Sequence, residues 1–186
     1  MKKILDKMRN EEILDSEIIQ DIKNNFEFNI NWIHMDDYCW SLLMDAVFYN
    51  RKELVEYFLA DPDIDINYTN RFKFAALHFA LRIHILKLLL SRKDLNVNVQ
   101  NNSGWTALHF ICFMGNKECV KELLLDARVD VMIRNKMGEM GRDCAIQNGN
   151  HMIANMLKMV QYTPLLRIPN RALCGDIIRM IIEEYV

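Results

Sequence analysis

The chain has 186 residues, 51% of them hydrophobic and 26% charged, with a formal net charge of −2. This is the composition of one globular domain with a sizeable core. The near-neutral balance argues against a nucleic-acid partner or an anionic membrane surface, both of which are met by a basic face.

The N-terminal segment MKKILDKMRNEEILD starts basic but has no apolar core and no small-residue cleavage site, so it does not read as a signal peptide. Within it, ILDKMRNEEILD and then DSEIIQDIKNN predict two amphipathic helices. The stretch FEFNINWIHMDD that follows alternates like a connecting hairpin. Residues 1–35 are therefore expected to form an N-terminal capping unit.

From there one phrase recurs. WSLLM at 40–44, AALHF at 75–79 and GWTALHF at 104–110 place Leu43, Leu77 and Leu108 at separations of 34 and 31 residues. A further step of 34 reaches Arg142, inside GEMGRDCAIQNGN. Asp36, Asn70, Asn101 and Asn135 each lead in from seven positions earlier. The three later copies follow an alternating segment: DIDINYTN, LNVNVQNN and VDVMIRNK. Each unit reads as a turn, a short apolar helix such as TALHFICF, a turn at Gly115–Asn116, and a second helix such as KECVKELLL. A fixed period of this length is the mark of a stacked repeat.

These units resemble the ankyrin repeat, whose pattern runs D-x-x-G-x-T-P-L-H-x-A-A-x-x-G, then a helix ending in LLL, then A-D-V-N. Gly104, Thr106, Leu108, His109 and Gly115 stand where that pattern wants them. The resemblance implies an all-α solenoid of stacked helix-turn-helix units with hairpin loops and helical caps. It divides residues 36–160 into four repeats, 36–69, 70–100, 101–134 and 135–160. Gly104 suits a turn that needs positive φ. Thr106, His78 and His109 are expected to bond backbone of the adjoining hairpin and to ligate nothing.

The copies differ. Cys39 and Lys73 replace the turn glycine, Met44 and Asp143 replace His, and Arg142 replaces Leu. The second unit is three residues shorter, with no Gly-Asn turn in ALRIHILKLLL. Its helices must meet through a very tight turn near Leu81 to His84, or one of them must be cut short.

The ankyrin resemblance also implies contact positions, carried over residue by residue. The slot before Thr holds Trp40, Phe74 and Trp105, then Glu139. The end of the first helix holds Phe48-Tyr49, Arg82-Ile83, Phe113-Met114 and Gln147-Asn148. The tips hold Asp37-Tyr38, Arg71-Phe72, Asn102-Ser103 and Lys136-Met137. Aromatic anchors dominate binding hot spots. The expected partner-binding set is Trp40, Phe48, Tyr49, Phe72, Phe74, Arg82, Trp105, Phe113 and Met114, with Trp40, Phe74 and Trp105 in a row on one face.

Residues 161–186 break the repeat at Pro164 and Pro169. ALCGDIIRMIIEEYV places Leu173, Ile177, Ile178, Ile181 and Ile182 on one helical stripe. The stripe suits a cap on the last repeat. It also suits a docking helix using Leu173, Cys174, Ile177, Ile178 and Ile181. Leu173-Cys174 and Ile178-Arg179 resemble the L-C-x-x-x-I-R core of the elongin-binding box of SOCS-box proteins, without its upstream Ser-Leu. LLRIPNRALCGDIIRMIIEEY is similar to the truncated F-box-like tails of poxviral ankyrin proteins. Frequent Lys, Asn and Ile suggest an AT-rich coding genome, such as that of a virus or another pathogen.

Catalytic signatures are missing: there is no P-loop, GxSxG, HExxH or GxGxxG. The His and Cys residues lie at scattered offsets, which argues against a zinc site. Cys39, Cys112, Cys119, Cys144 and Cys174 form no CxxC pair and suit a reducing compartment, cytoplasmic or nuclear. Cys112 is expected to be a core thiol. The methionines suit adaptable packing or a soft binding surface, with core packing the preferred expectation. AALHFALRIHILKLLL carries Arg82 and Lys87, so it is too charged to span a membrane. The expected protein is a non-enzymatic module without cofactors that holds, sequesters or inhibits another protein. The alternative is an adaptor that brings a substrate to a cullin-type ubiquitin ligase, with a ligase subunit on the C-terminal helix.

Overall fold

The computed structural model describes residues 2–34, 38–162 and 179–180. The chain forms two compact units, residues 1–96 and 97–186. Both are all-α: among the described residues the extended structure is limited to one antiparallel bridge, between Ile33 and Ser41.

The first unit runs α1 (Lys2–Met8), α2 (Asp15–Lys23), α3 (Leu42–Phe48), α4 (Lys52–Ala60), a 3-10 turn (Ala76–Phe79) and α5 (Ile83–Ser91). Two N-terminal helices are present as expected, but α1 stops at Met8, well short of the end of the ILDKMRNEEILD segment. Helix α2 packs on α4, α4 on α5, and α3 on the 3-10 turn. The apolar spacing explains the burial: Ile18 and Ile22 of α2, Leu54, Val55 and Phe58 of α4, and Ile85, Leu86 and Leu89 of α5 are all buried. Arg51 and Asp15 tie the start of α4 to the start of α2 and to the segment before it. Arg51 is 7% exposed, and its Nε lies 2.7 Å from Asp15 Oδ1. Its other nitrogens reach the carbonyls of Asn10 and Ile13. Asp15 Oδ2 accepts from the Glu53 N–H at 3.0 Å, filling the N-cap role on α4 that Arg51 cannot.

The shortened repeat behaves as its length requires. Its first helix contracts to the four-residue 3-10 turn Ala76–Phe79, and α5 begins after only three residues more. Ile83 and His84, expected near the turn, are already helical. His84 Nε2 meets Asn50 Oδ1 at 2.8 Å. Asn50 takes the loop-glycine slot with φ 56°.

The second unit runs α6 (Ala107–Met114), α7 (Lys117–Leu125), α8 (Gly141–Gln147) and α9 (His151–Tyr162). α6 packs on α7 and α8, and α8 on α9. Gly141 makes the α6–α8 contact close: a Cβ there would lie 3.3 Å from Leu108 Cγ and 3.4 Å from Cys112 Sγ. Arg142, in the slot of the buried Leu, is half-buried, and its Nε has no hydrogen-bond partner among the described residues.

Successive connections are braced by asparagine amides that imitate a backbone pair. Asn31 donates to the Asp63 carbonyl (2.7 Å) and accepts from the Asp65 N–H (2.8 Å). Asn67 does the same with Asp94 and Asn96, at 2.8 and 2.7 Å. In the second unit Asn98 does so with Arg128 and Asp130, at 2.8 and 3.0 Å. The alternating segments thus bury their apolar members, Ile64, Ile66, Leu95 and Val97, while their asparagines satisfy backbone groups that have no sheet partner.

The methionine expectation is corrected. Met8, Met44 and Met156 are buried, but Met114, Met132, Met137, Met152, Met159 and Met180 are exposed. Several of these occupy hairpins or outer helix faces, where no apolar layer among the described residues covers them.

Candidate functional site: the hairpin tips and first helices

Each later hairpin tip is built around its lead-in asparagine. Asn70, Asn101 and Asn135 are all buried. Asn101 Oδ1 accepts from the N–H groups of Ser103 and Trp105, both at 2.9 Å. Asn70 binds Phe72 and Phe74 in the same way, and Asn135 binds Met137 and Glu139. The turn closes with a left-handed residue: Cys39 (φ 52°), Lys73 (φ 59°), Gly104 (φ 78°) or Gly138 (φ 81°). Gly104 is obligatory for a second reason, since a Cβ would stand 2.8 Å from the Lys136 nitrogen.

The next residue carries the ring or, in the last repeat, the carboxylate. The one after that caps the first helix. Thr106 N–H donates to His109 Nδ1 at 3.2 Å, with the Thr106 hydroxyl 2.8 Å from the same nitrogen. Nε2 of His109 then donates to the Glu139 carbonyl of the following hairpin at 3.1 Å. The Thr hydroxyl therefore serves the His rather than the hairpin, and the His makes the bridge. Burial holds the His109 pKa below its ordinary value, so the ring is neutral and one nitrogen accepts while the other donates. His78 repeats the local half of this device, accepting from the Ala75 N–H at 3.0 Å.

In the first unit these tips and helix ends gather rings. Trp40 stacks on Phe79 with centroids 4.6 Å apart and meets Phe48 edge-on at 5.3 Å. Phe74 stacks on Phe79 at 5.4 Å, and Tyr49 packs on Phe48 at 5.2 Å. Phe48 remains 54% exposed, whereas Trp40 and Phe74 are half-buried against their neighbours. At the tips Tyr38 and Phe72 lie 6.0 Å apart, both exposed, with the Arg71 guanidinium 5.3 Å from the Phe72 centroid. Arg82 lines a cleft of about 560 Å³ with Glu11, Asp15, Phe48, Tyr49, Asn50 and Arg51, so it borders the ring cluster at Phe48 and Tyr49.

In the second unit Trp105 meets Phe110 at 4.8 Å and Phe113 at 5.7 Å. Met114 is exposed at the end of α6. Glu139 holds the position that Trp105 holds one repeat earlier. Its Oε2 accepts from Asn135 Nδ2 at 2.7 Å, and its Oε1 accepts from Gln147 Nε2. The bonds from Asn135 and then Gln147 lower its pKa, so the carboxylate stays charged.

Sequence reasoning missed Phe79, a member of the first cluster, and Phe110, a member of the second. The signal was present: the variable slot after each pattern histidine is aromatic in both repeats that keep the histidine. The docking residues Leu173, Cys174, Ile177, Ile178 and Ile181, with Asp37 of the first tip, lie outside the described residues.

Burial raises the pKa of Cys112, and raises Cys119 and Cys144 to about 11, so these thiols are core groups rather than nucleophiles. Among the described residues, no group of His, Cys, Asp and Glu is arranged to hold a metal ion, and no helix is long and apolar enough to cross a membrane.

A comparison with the curated proteins found no match. A family model described as Ankyrin repeats (3 copies) matches residues 43–135 and 74–164. These spans cover more than half of the chain and contain the three later hairpin tips, the Thr106–His109 cap and the helices from α4 to α9. The chain belongs to the ankyrin-repeat family.

Proposed function

We propose that this chain acts without catalysis, by holding a partner protein on the aromatic surface of its hairpin tips and first helices. Ankyrin repeats are protein–protein interaction modules, and the residues beside their scaffold set what is bound. The observation that carries the reading is the ring cluster of Trp40, Phe48, Phe74 and Phe79. A large ring such as Phe48, left half in water beside other rings, costs solubility and fits a surface that a partner covers. The cluster Trp105, Phe110 and Phe113, flanked by Met114, is the corresponding surface of the second unit. Occupying the partner's surface in this way sequesters or inhibits it.

The test begins with affinity purification of the full chain and mass spectrometry to identify the partner. Amide hydrogen exchange of the chain with and without it then maps the contact. Protection at residues 38–49, 70–80 or 102–114 is expected. Protection confined to the outer helices α4, α5, α7 and α9 would rule the reading out. Removing residues 163–186 tests the adaptor alternative in the same purification: loss of ubiquitin-ligase subunits with retention of the target would favour it.

A further inference from the structure

The fourth repeat breaks the aromatic series with a carboxylate, and the structure holds that carboxylate in place. Glu139 is half-buried, with one oxygen on Asn135 and the other on Gln147. It makes no ion pair with a basic side chain among the described residues. Of the cations near it in sequence, Lys136 and Arg142 make no ion pair with it, and Arg134 gives its Nη1 to the Gly138 carbonyl. Rings border the same place. His109, whose ring lies 6.1 Å from Trp105, bonds the Glu139 carbonyl. Gln147 is followed by Asn148, whose amide donates to the Phe113 carbonyl at 2.6 Å, and Phe113 packs on Trp105. An oriented, charged carboxylate thus stands one repeat on from Trp105, in the same slot and in the same unit, with His109 bonded to its backbone and the partner amide of its Oε1 one residue before Asn148, which bonds Phe113.

We propose that this part of the second unit takes a basic side chain of the partner, lysine or arginine, with its cationic head on Glu139 and its stem on Trp105 and Phe113. The inference rests on the protein-binding reading above and specifies its chemistry. A carboxylate already fixed by two amides loses little freedom on accepting a charge-assisted bond. The ring faces attract a cation, and the methylene stem of Lys or Arg covers apolar surface while its head stays polar. An acidic side chain is repelled by Glu139, and a purely aliphatic one keeps only the apolar contact and leaves the Glu139 charge less hydrated and unmatched.

The experiment selects random-sequence peptides displayed on phage against the immobilised full chain, in parallel for the wild type, Glu139→Gln, Glu139→Lys and Trp105→Ala. Wild-type selection is expected to fix Lys or Arg at one position. A synthetic copy of a selected peptide should bind Glu139→Gln at least tenfold more weakly, with an unchanged melting temperature, since Gln keeps an acceptor for Asn135. Glu139→Lys should select Asp or Glu at the same position. Equal binding to wild type and Glu139→Gln overturns the proposal. If binding is then still lost with Trp105→Ala, or with Trp105→Leu should Ala unfold the chain, the ring surface stands and the basic anchor falls. Failure to enrich any peptide, or indifference to both residues, counts against both.

Discussion

His109 Nε2 donates to the carbonyl of Glu139, 3.1 Å away and thirty residues downstream, while its Nδ1 accepts from its own helix cap at Thr106. One neutral imidazole thereby closes a helix and ties one repeat to the next. Because burial depresses its pKa, the unfolded chain binds the extra proton first as pH falls. Stability should therefore decline below the ordinary histidine pKa of about 6.5, by up to about 1.4 kcal/mol per pH unit until the folded pKa is reached. Urea midpoints at pH 7 and pH 5 should differ less in His109→Gln than in the wild type. An equal difference would mean that other groups carry the acid sensitivity.

Lys73 occupies a left-handed turn position where the third and fourth repeats use glycine. Its side chain is exposed, so replacement removes backbone strain with little loss of contact. Lys73→Gly should raise stability by about 1 kcal/mol. Gly104→Ala should do the reverse and cost more, because strain is joined by the clash with Lys136. Thermal denaturation of both variants reads the two signs.

The Arg51–Asp15 pair is largely removed from water, with side chains 8% and 13% exposed. Asp15→Ala strands a buried guanidinium and also uncaps α4. A loss of about 3 to 5 kcal/mol is expected. Replacing both partners by apolar residues of similar volume should recover part of it. Chemical denaturation of the single and double variants gives the comparison, and an additive double variant would show that the pair is not coupled.

Much of this scaffold is legible in the sequence because it answers to local rules. The 34-residue spacing marks Leu43 and Leu77 as core, the glycine before the tryptophan marks Gly104 as left-handed, and the missing residues after ALHFA force the first helix of the second repeat to shorten. The asparagine braces are less legible. Asn31, Asn67 and Asn98 are polar members of the alternating segments, and their bonds appear only when the following connection is set beside them. The Arg51–Asp15 pair joins residues far apart in the chain and leaves no periodic trace. Methionine burial was misjudged because composition does not say which helix face a residue occupies: Met152 and Met156 share α9, yet one faces solvent and the other the core. At the candidate site the ring positions were readable from the repeat frame, but their mutual stacking, and hence the part of Phe79 and Phe110, depends on geometry.

The direct measurement is the dissociation constant for the partner identified by affinity purification, taken by calorimetry for wild type, Phe48→Ala and Trp105→Ala, with melting temperatures alongside. Phe48 is more than half exposed, so its removal should leave the fold close to wild type. The account predicts that at least one of the two substitutions weakens binding by about 2 kcal/mol, roughly thirtyfold, while the melting temperature of Phe48→Ala holds. Unchanged affinity in both variants, with the fold intact, would contradict it and move the interface off the aromatic surface.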